Sequence, residues 1–326
     1  MTEITKSIFR EYDIRGIYPI EINEEVIIHI AKAISIKCNN ENVSEICIGR
    51  DGRNSSQSFS DALEKSLSNF GVNVENIGLV TTPLLYFASK KSKSKSGVMI
   101  TGSHNPKNYN GLKLVINDKP VSGNEIYELI NQNIDESIHP GKISRKDIRD
   151  LYIKEVIENI QIKDSKKLKV VIDCGNGAAG CIAPKLFQEL GCDVIELFTE
   201  IDGNFPNHHP DPGKLENLSD IINKVQSSKA DLGLAFDGDG DRIGLITDKG
   251  EVIFPDKIMM MLSEEILKSK KGSIIFDVKC SNALPDIIKS LDGKPIMSPT
   301  GHFHIKKGIK EHNPLLAGEM SGHIFF

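Results

Sequence analysis

Three closely spaced aspartates set the first chemical expectation. In AFDGDGDRIGLI (235–246), Asp237, Asp239 and Asp241 alternate with glycines between two apolar runs. Carboxylates this close repel one another unless a cation neutralises them. Side chains at every second position of an extended loop point to one side. Hard oxygen donors suit Mg²⁺ or Ca²⁺, and Mg²⁺ is the better fit here. An EF-hand loop needs Gly at its sixth position and a helix after it. This chain has Arg242 and a strand-like run instead. A solvated acidic turn without metal is the plain alternative. Arg242, beside the carboxylates, is placed to meet an anionic ligand.

A second candidate is VMITGSHNPKNYNGLKLV (98–115), where an apolar run leads into Ser103 among small residues. The chain has no GxSxG elbow, which argues against a serine hydrolase. Nor is His104 a triad base merely by adjacency, since a base must reach the serine oxygen in space. A phosphorylated Ser103 would need cations around it, a metal and basic groups such as Lys113. Taken alone, the loop reads as an ordinary turn. Arg10 and Arg15 flank EYD, and Arg50 and Arg53 follow an apolar run in GRDGR. Arginines at strand ends can bind phosphate bidentately, although surface ion pairs are their commoner fate. In AGEMSGH (317–323), Glu319, Ser321 and His323 alternate, which suits the vicinal hydroxyls of a sugar or a plain half-buried strand.

Two further features compete. VVIDCGNGAAG places Gly175, Gly177 and Gly180 as GxGxxG, with Glu196 about twenty residues on, as in a dinucleotide-binding turn. Against that, Asp173 precedes the first glycine, and Cys181 and Pro184 interrupt the helix start. The loop DGNFPNHHPDPGK (202–214) offers His208 and His209 as metal ligands. Adjacent side chains diverge on an extended chain, so a loop packed against a neighbouring domain is the better reading.

These residues need a scaffold, and the pattern supplies one. EICIGRDGR (45–53), LKVVIDCGNGAAG (168–180) and GSIIFDVKC (272–280) each open with a β-branched run. Each continues into a helical pattern, a glycine stop and a second strand-like run. Strands alternating with helices predict α/β units, here three tandem domains of similar topology. Polar DESIHPGKISRKDIRD (135–150) and the turn at Thr247–Glu251 mark the joints. The domains are expected at 1–148, 149–250 and 251–326.

Composition bounds the rest. The 326 residues are 39% hydrophobic and 26% charged, which excludes a disordered chain. A net charge of −5 gives no bulk attraction for nucleic acid or anionic membrane. No apolar run reaches the ~18–20 residues of a membrane helix, and the charged N-terminus lacks an apolar signal core. The six cysteines form no CxxC pair and read as reduced, structural thiols of a cytoplasmic protein.

Taken together, the strings FREYDIRG, GRDGR, TGSHNP, NGLK, DCGNGAAG, GNFPNHHPDP, DGDGDR, DVKC, TGH and GEMSGH resemble, in order, the α-D-phosphohexomutase family, and most closely its bacterial phosphomannomutase/phosphoglucomutase branch. The resemblance implies mixed, mostly parallel sheets sandwiched by helices. It implies that Ser103 is a phosphoserine and that Asp237, Asp239 and Asp241 hold one Mg²⁺ with its phosphate. Arg15 and Lys113 would assist proton transfer and stabilise charge, with His104 beside the phosphoserine. His323 is a further candidate for proton transfer. Glu319 and Ser321 would read sugar hydroxyls, with Tyr12, Arg242, Lys279, Thr300, Gly301 and His302 completing the substrate contacts. The implied reaction interconverts hexose 6-phosphate and hexose 1-phosphate, of mannose or glucose, through a hexose 1,6-bisphosphate. In that family DCGNGAAG is an architectural turn.

The resemblance also carries expectations about extent. GEMSGH lies within the third domain of relatives, so the third domain is expected to be incomplete and a fourth absent. On that reading the chain is a truncated product of reduced activity, with apolar surface exposed near Ile324–Phe326, and the full-length form is expected to be a monomer. Two other functions stay open: an NAD(P)-dependent oxidoreductase built on GNGAAG, and an inactive remnant that binds sugar phosphate.

Overall fold

The β-branched runs become buried parallel strands, each feeding a helix. The computed structural model describes residues 4–135, 139–160 and 167–326. The first unit contains β1 (Ile14–Ile17), α1 (Glu24–Asn40), β2 (Glu45–Arg50), α2 (Ser56–Asn69), β3 (Asn73–Leu79), α3 (Thr82–Lys91), β4 (Gly97–Ile100), β5 (Tyr109–Ile116), β6 (Lys119–Val121), α4 (Gly123–Leu129) and β7 (Ile143–Arg145). Its strands order as β1-β5-β4-β2-β3-β7, with β6 beside β5. The central β2 is parallel to β3 and β4 and buried on both faces, as strands covered by helices on both sides must be. α1 starts where Asn23 accepts a hydrogen bond from Val26 N and packs Ile27, Ile30 and Ile34 into the core.

The second unit comprises α5 (Arg149–Asn159), β8 (Lys169–Asp173), α6 (Ala183–Glu189), β9 (Asp193–Leu197), α7 (Ser219–Ser228), β10 (Leu232–Phe236), β11 (Ile243–Thr247) and β12 (Val252–Ile253). The strand order is β12-β11-β10-β8-β9. α5 carries Ile153 into a core shared with Leu85 and Met99 of the first unit and Ile182 of the second.

In the third unit α8 (Pro255–Ser269), β13 (Ser273–Asp277), α9 (Ala283–Ser290), β14 (Lys294–Ser298), α10 (His302–His312), β15 (Leu316–Gly318) and β16 (Ile324–Phe325) build a sheet ordered β14-β13-β15-β16. Among the described residues no helix is long and apolar enough to cross a membrane.

Two expectations need correction. The apolar exposure expected near Ile324–Phe326 is mostly not found: β15 pairs with β13, β16 pairs with β15, and Ile324 and Phe325 pack against the core. Strands of three and two residues are too short to show a period, so the closing edge was invisible in the pattern. Only Phe326, 84% exposed, matches the expected apolar exposure. The polar stretch 135–150 is not purely a linker either, because β7 adds to the first sheet beside β3. Residues 136–138 of that stretch lie outside the described residues. At the other joint, Thr247–Glu251 turns within the β11–β12 hairpin of the second sheet.

Candidate active site

Strand ends deliver the site. β4 ends at Ile100 and releases the loop that carries Ser103. β10 ends at Phe236 and releases the acidic loop, and the β15–β16 turn carries Glu319–His323. The N-terminal segment leading into β1 brings Tyr12 and Arg15, and the turn before α10 brings Thr300–His302. All three sheets therefore aim loops at one cavity of about 270 Å³. It is lined by Tyr12, Arg15, Ser103, His104, Lys113, Arg242, Thr300, Gly301, His302, Glu319, Ser321 and His323, together with Arg10, Asp13 and Asn105.

Ser103 Oγ donates to Asp237 Oδ2 at 3.2 Å, across 134 residues of sequence. The backbone at Ser103 is left-handed, φ 48°, which costs an L-residue roughly 1–2 kcal/mol. The acidic loop comes this close because Gly238 has no Cβ; one built there would lie 2.5 Å from Ser103 O. Asp237, Asp239 and Asp241 each offer an oxygen within 4.8 Å of the others.

The donor set fits a divalent ion. Asp239 Oδ2 accepts from Thr82 Oγ1 at 2.5 Å and from Lys113 Nζ at 2.7 Å, while its buried Oδ1 has no partner. Burial, then the charges of Asp239 and Asp241, push the Asp237 carboxyl well above the usual range. Burial opposes charge on Asp239 and Asp241 most, but Lys113, joined by Thr82 at Asp239 and by His323 and Arg242 at Asp241, prevails and holds both below that range. A dication among these oxygens would remove the conflict at Asp237.

Cationic groups surround the rest of the cavity. Arg15 donates to Gly102 O, to Asn105 Oδ1 at 2.9 Å and to Asp13 Oδ2 at 2.6 Å. Among the described residues the buried Nε atoms of Arg15 and Arg242 have no hydrogen-bond partner. His323 bridges Asp241 Oδ1 at 3.1 Å and Glu319 Oε2 at 2.8 Å. Burial pulls its pKa down, yet the two carboxylates prevail and raise it to about 9. His302, its ring 5.8 Å from that of His323, is held well below its ordinary value by burial and by Lys306. A neutral imidazole at His302 thus lies beside a protonated one at His323. His104 is likewise kept neutral, pushed down to about 3 by burial and by Arg242.

Not every expected residue arrives. Lys279 is exposed in the turn after β13 and does not line the cavity. Arg50 and Arg53 do not line it either; Arg50 donates to Asp51 O instead. His208 pairs with Asp173, and His209 meets His104 O at 2.6 Å, so this loop packs on the first unit. Two residues went unread. Asp277 accepts from Thr300 Oγ1 and Met320 N, tying the two sugar-side loops together. Its signal is an acidic residue at a strand end, opening the DVKC string. Thr82 carries no local signal at all.

The GNGAAG turn is not shaped for a pyrophosphate. The amides of Gly175, Asn176, Gly177, Ala178 and Gly180 all donate within the protein, to Asp173, Phe198, Cys174, Gly238 and Gly177. No row of free N–H groups faces a ligand there. The helix that follows starts only at Ala183.

Comparison with known proteins gives the same assignment. Models of the phosphoglucomutase/phosphomannomutase alpha/beta/alpha domains I, II and III match residues 6–138, 150–250 and 254–326. A phosphomannomutase/phosphoglucomutase of Pseudomonas syringae pv. tomato is 49% identical over 324 residues, covering 98% of this chain and 69% of the relative. A phosphoglucomutase of Neisseria gonorrhoeae is 42% identical, covering 100% and 72%. A crystal structure of a phosphoglucomutase/phosphomannomutase family protein from Burkholderia thailandensis superposes with TM-score 0.94 at 39% identity, covering 99% of this chain and 73% of that one. The chain belongs to the phosphoglucomutase/phosphomannomutase family.

Proposed function

We propose that this chain interconverts hexose 6-phosphate and hexose 1-phosphate, of glucose or mannose, by way of a phosphorylated Ser103. The observation that carries the reading is the contact between Ser103 Oγ and Asp237 Oδ2 at 3.2 Å, beside an acidic triad and a lysine. Relatives of high identity over nearly the whole of this chain bear the names phosphomannomutase and phosphoglucomutase.

In the first half-reaction the bond from phosphorus to Ser103 Oγ breaks and a bond to a sugar hydroxyl oxygen forms. The proton of that hydroxyl leaves to the cavity wall, and a hexose 1,6-bisphosphate results. After the sugar turns over, its other phosphoryl returns to Ser103 Oγ. Asp237, Asp239 and Asp241 are the residues that would hold Mg²⁺, which when bound neutralises phosphoryl oxygen charge. Lys113, charged and locked between Asp239 and Asp241, fixes the acidic loop and adds positive charge. Arg15 and Arg242 line the cavity and bring positive charge toward phosphoryl oxygens. Glu319, held by Gly301 N at 2.5 Å and by His323, presents a fixed carboxylate to sugar hydroxyls, with Ser321 beside it. Transfer of this kind depends chiefly on positioning and charge.

The six unpaired thiols support a reducing compartment, the cytoplasm. The dinucleotide reading is disfavoured by the occupied amides of the GNGAAG turn. The test is conversion of glucose 1-phosphate and mannose 1-phosphate with Mg²⁺ and catalytic glucose 1,6-bisphosphate. Turnover that is absent with either sugar, with no phosphate gained by the protein, would reject the reading.

A further inference from the structure

Five consecutive carbonyls of the Ser103 loop are each met by a side chain. Gly102 O accepts from Arg15. Ser103 O accepts from Arg53 Nη2 at 2.7 Å, and His209 Nε2 meets His104 O at 2.6 Å. Asn105 O accepts from Arg53 Nη2 and Pro106 O from Arg53 Nη1, both at 2.6 Å. Arg53 Nη1 also donates to Tyr109 O at 2.9 Å, and Nε donates to Asp51 Oδ2 at 3.2 Å. Asp51 grips the other limb, accepting from Thr101 Oγ1 at 2.8 Å and Gly102 N at 3.2 Å. One guanidinium and its carboxylate thus hold both sides of the turn that presents Ser103.

Arg53 is 2% exposed and does not touch the cavity. Every N–H of its guanidinium is taken up by a loop carbonyl or by Asp51, so it has no donor aimed at substrate. Burying a guanidinium is costly, and an apolar side chain would fill the space at lower cost. What a planar fork of five donors provides is geometry. It can satisfy four carbonyls and one carboxylate at once, and a left-handed serine persists only where its surroundings over-determine it. The ring of Phe205, from the loop after β9, lies 5.2 Å from the guanidinium and covers it.

We propose that Arg53 is a positioning residue for phosphoryl transfer: it fixes the backbone of the Ser103 loop and thereby the place of Ser103 Oγ. His209 is a lesser anchor of the same loop. The proposal rests on the phosphoserine reading above.

The test measures how fast glucose 1,6-bisphosphate and Mg²⁺ phosphorylate the intact chain. The sugar–phosphorus bond breaks, the bond to Ser103 Oγ forms, and the hydroxyl proton leaves with the sugar oxygen. Arg53→Lys keeps the charge beside Asp51, but a single ammonium cannot reach all four carbonyls. The maximal rate should fall about 100-fold, while the half-saturating bisphosphate concentration changes by less than about threefold. A residue needed for the fold alone would lower the folded fraction and leave the rate per folded molecule unchanged. His209→Gln, in a half-buried loop, should lower the maximal rate about 5–10-fold with the same unchanged half-saturation. Folded Arg53→Lys with the wild-type maximal rate, or with its loss confined to half-saturation, overturns the proposal. Should Arg53→Lys not fold, a wild-type rate in His209→Gln overturns it. If the wild-type chain gains no phosphate, the phosphoserine reading fails and this proposal fails with it.

Discussion

His323 Nε2 lies 3.1 Å from Asp241 Oδ1, which ties the last turn of the third unit directly to the acidic loop of the second. Nδ1 of the same ring reaches Glu319 at 2.8 Å. A protonated imidazole between buried Glu319 and partly buried Asp241 is therefore both a pin between units and part of the cavity wall.

Removing that pin leaves two carboxylates without their shared cation. His323→Leu should lower unfolding stability by about 1–3 kcal/mol and reduce turnover through a misplaced sugar loop. Urea unfolding with paired kinetic assays checks this. Unchanged stability would show that water replaces the ring without loss.

The acidic triad predicts a sign that depends on metal. Asp237→Asn keeps an acceptor for the amides of Asp241 and Arg242 and turns an NH₂ donor toward Ser103 Oγ, which then accepts, and it removes one of three crowded charges. Without Mg²⁺ the variant should be no less stable than wild type. Wild type should gain about 2.7 kcal/mol at a hundredfold excess over Kd, and the variant should gain little. Melting curves at rising Mg²⁺ decide it; equal gains in both proteins would remove the triad as the ion site.

A histidine outside the cavity supplies a pH dependence. His208 Nε2 is 3.0 Å from Asp173 Oδ2, in the loop that packs the second unit on the first. Burial lowers its pKa, but the hydrogen bond and charge of Asp173 prevail, and the net shift is upward. A raised folded-state pKa stabilises fully below the unfolded value of about 6.5, and the contribution is lost as pH rises through the folded value. His208→Gln should thus cost most below about pH 6 and least under alkaline conditions. A stability difference that grows with pH would contradict this.

The three units were legible because each announces itself with a β-branched run, a helical stretch and a glycine. Ile46–Ile48, Val170–Ile172 and Ile274–Phe276 all became buried central strand. β7 was not legible, since Ile143–Arg145 is exposed and lies in a polar stretch. The site was readable as separate motifs. Their proximity was not, because Ser103 and Asp237 meet only through the packing of two sheets. Thr82 acts from a position that no motif marks, and Asp277, although it opens DVKC, had no role assigned to it. Arg53 stood in a recognisable string, yet its donors turn to backbone carbonyls rather than to phosphate.

Replacing the nucleophile isolates the chemistry from the fold. Ser103→Ala should abolish nearly all turnover, since Ser103 is the hydroxyl that both lines the cavity and meets the acidic loop. Its melting temperature should stay near wild type, because the Ser103 hydroxyl makes long, weak hydrogen bonds, to Asp237 at 3.2 Å and His104 at 3.3 Å. Full activity in this variant would end the covalent account.

The most direct measurement is intact mass with site mapping after the wild-type chain is mixed with glucose 1,6-bisphosphate and Mg²⁺. The account predicts one added phosphoryl group, on Ser103, and its discharge when a hexose monophosphate is supplied. A protein that gains no phosphate, or carries it on another residue, would contradict it.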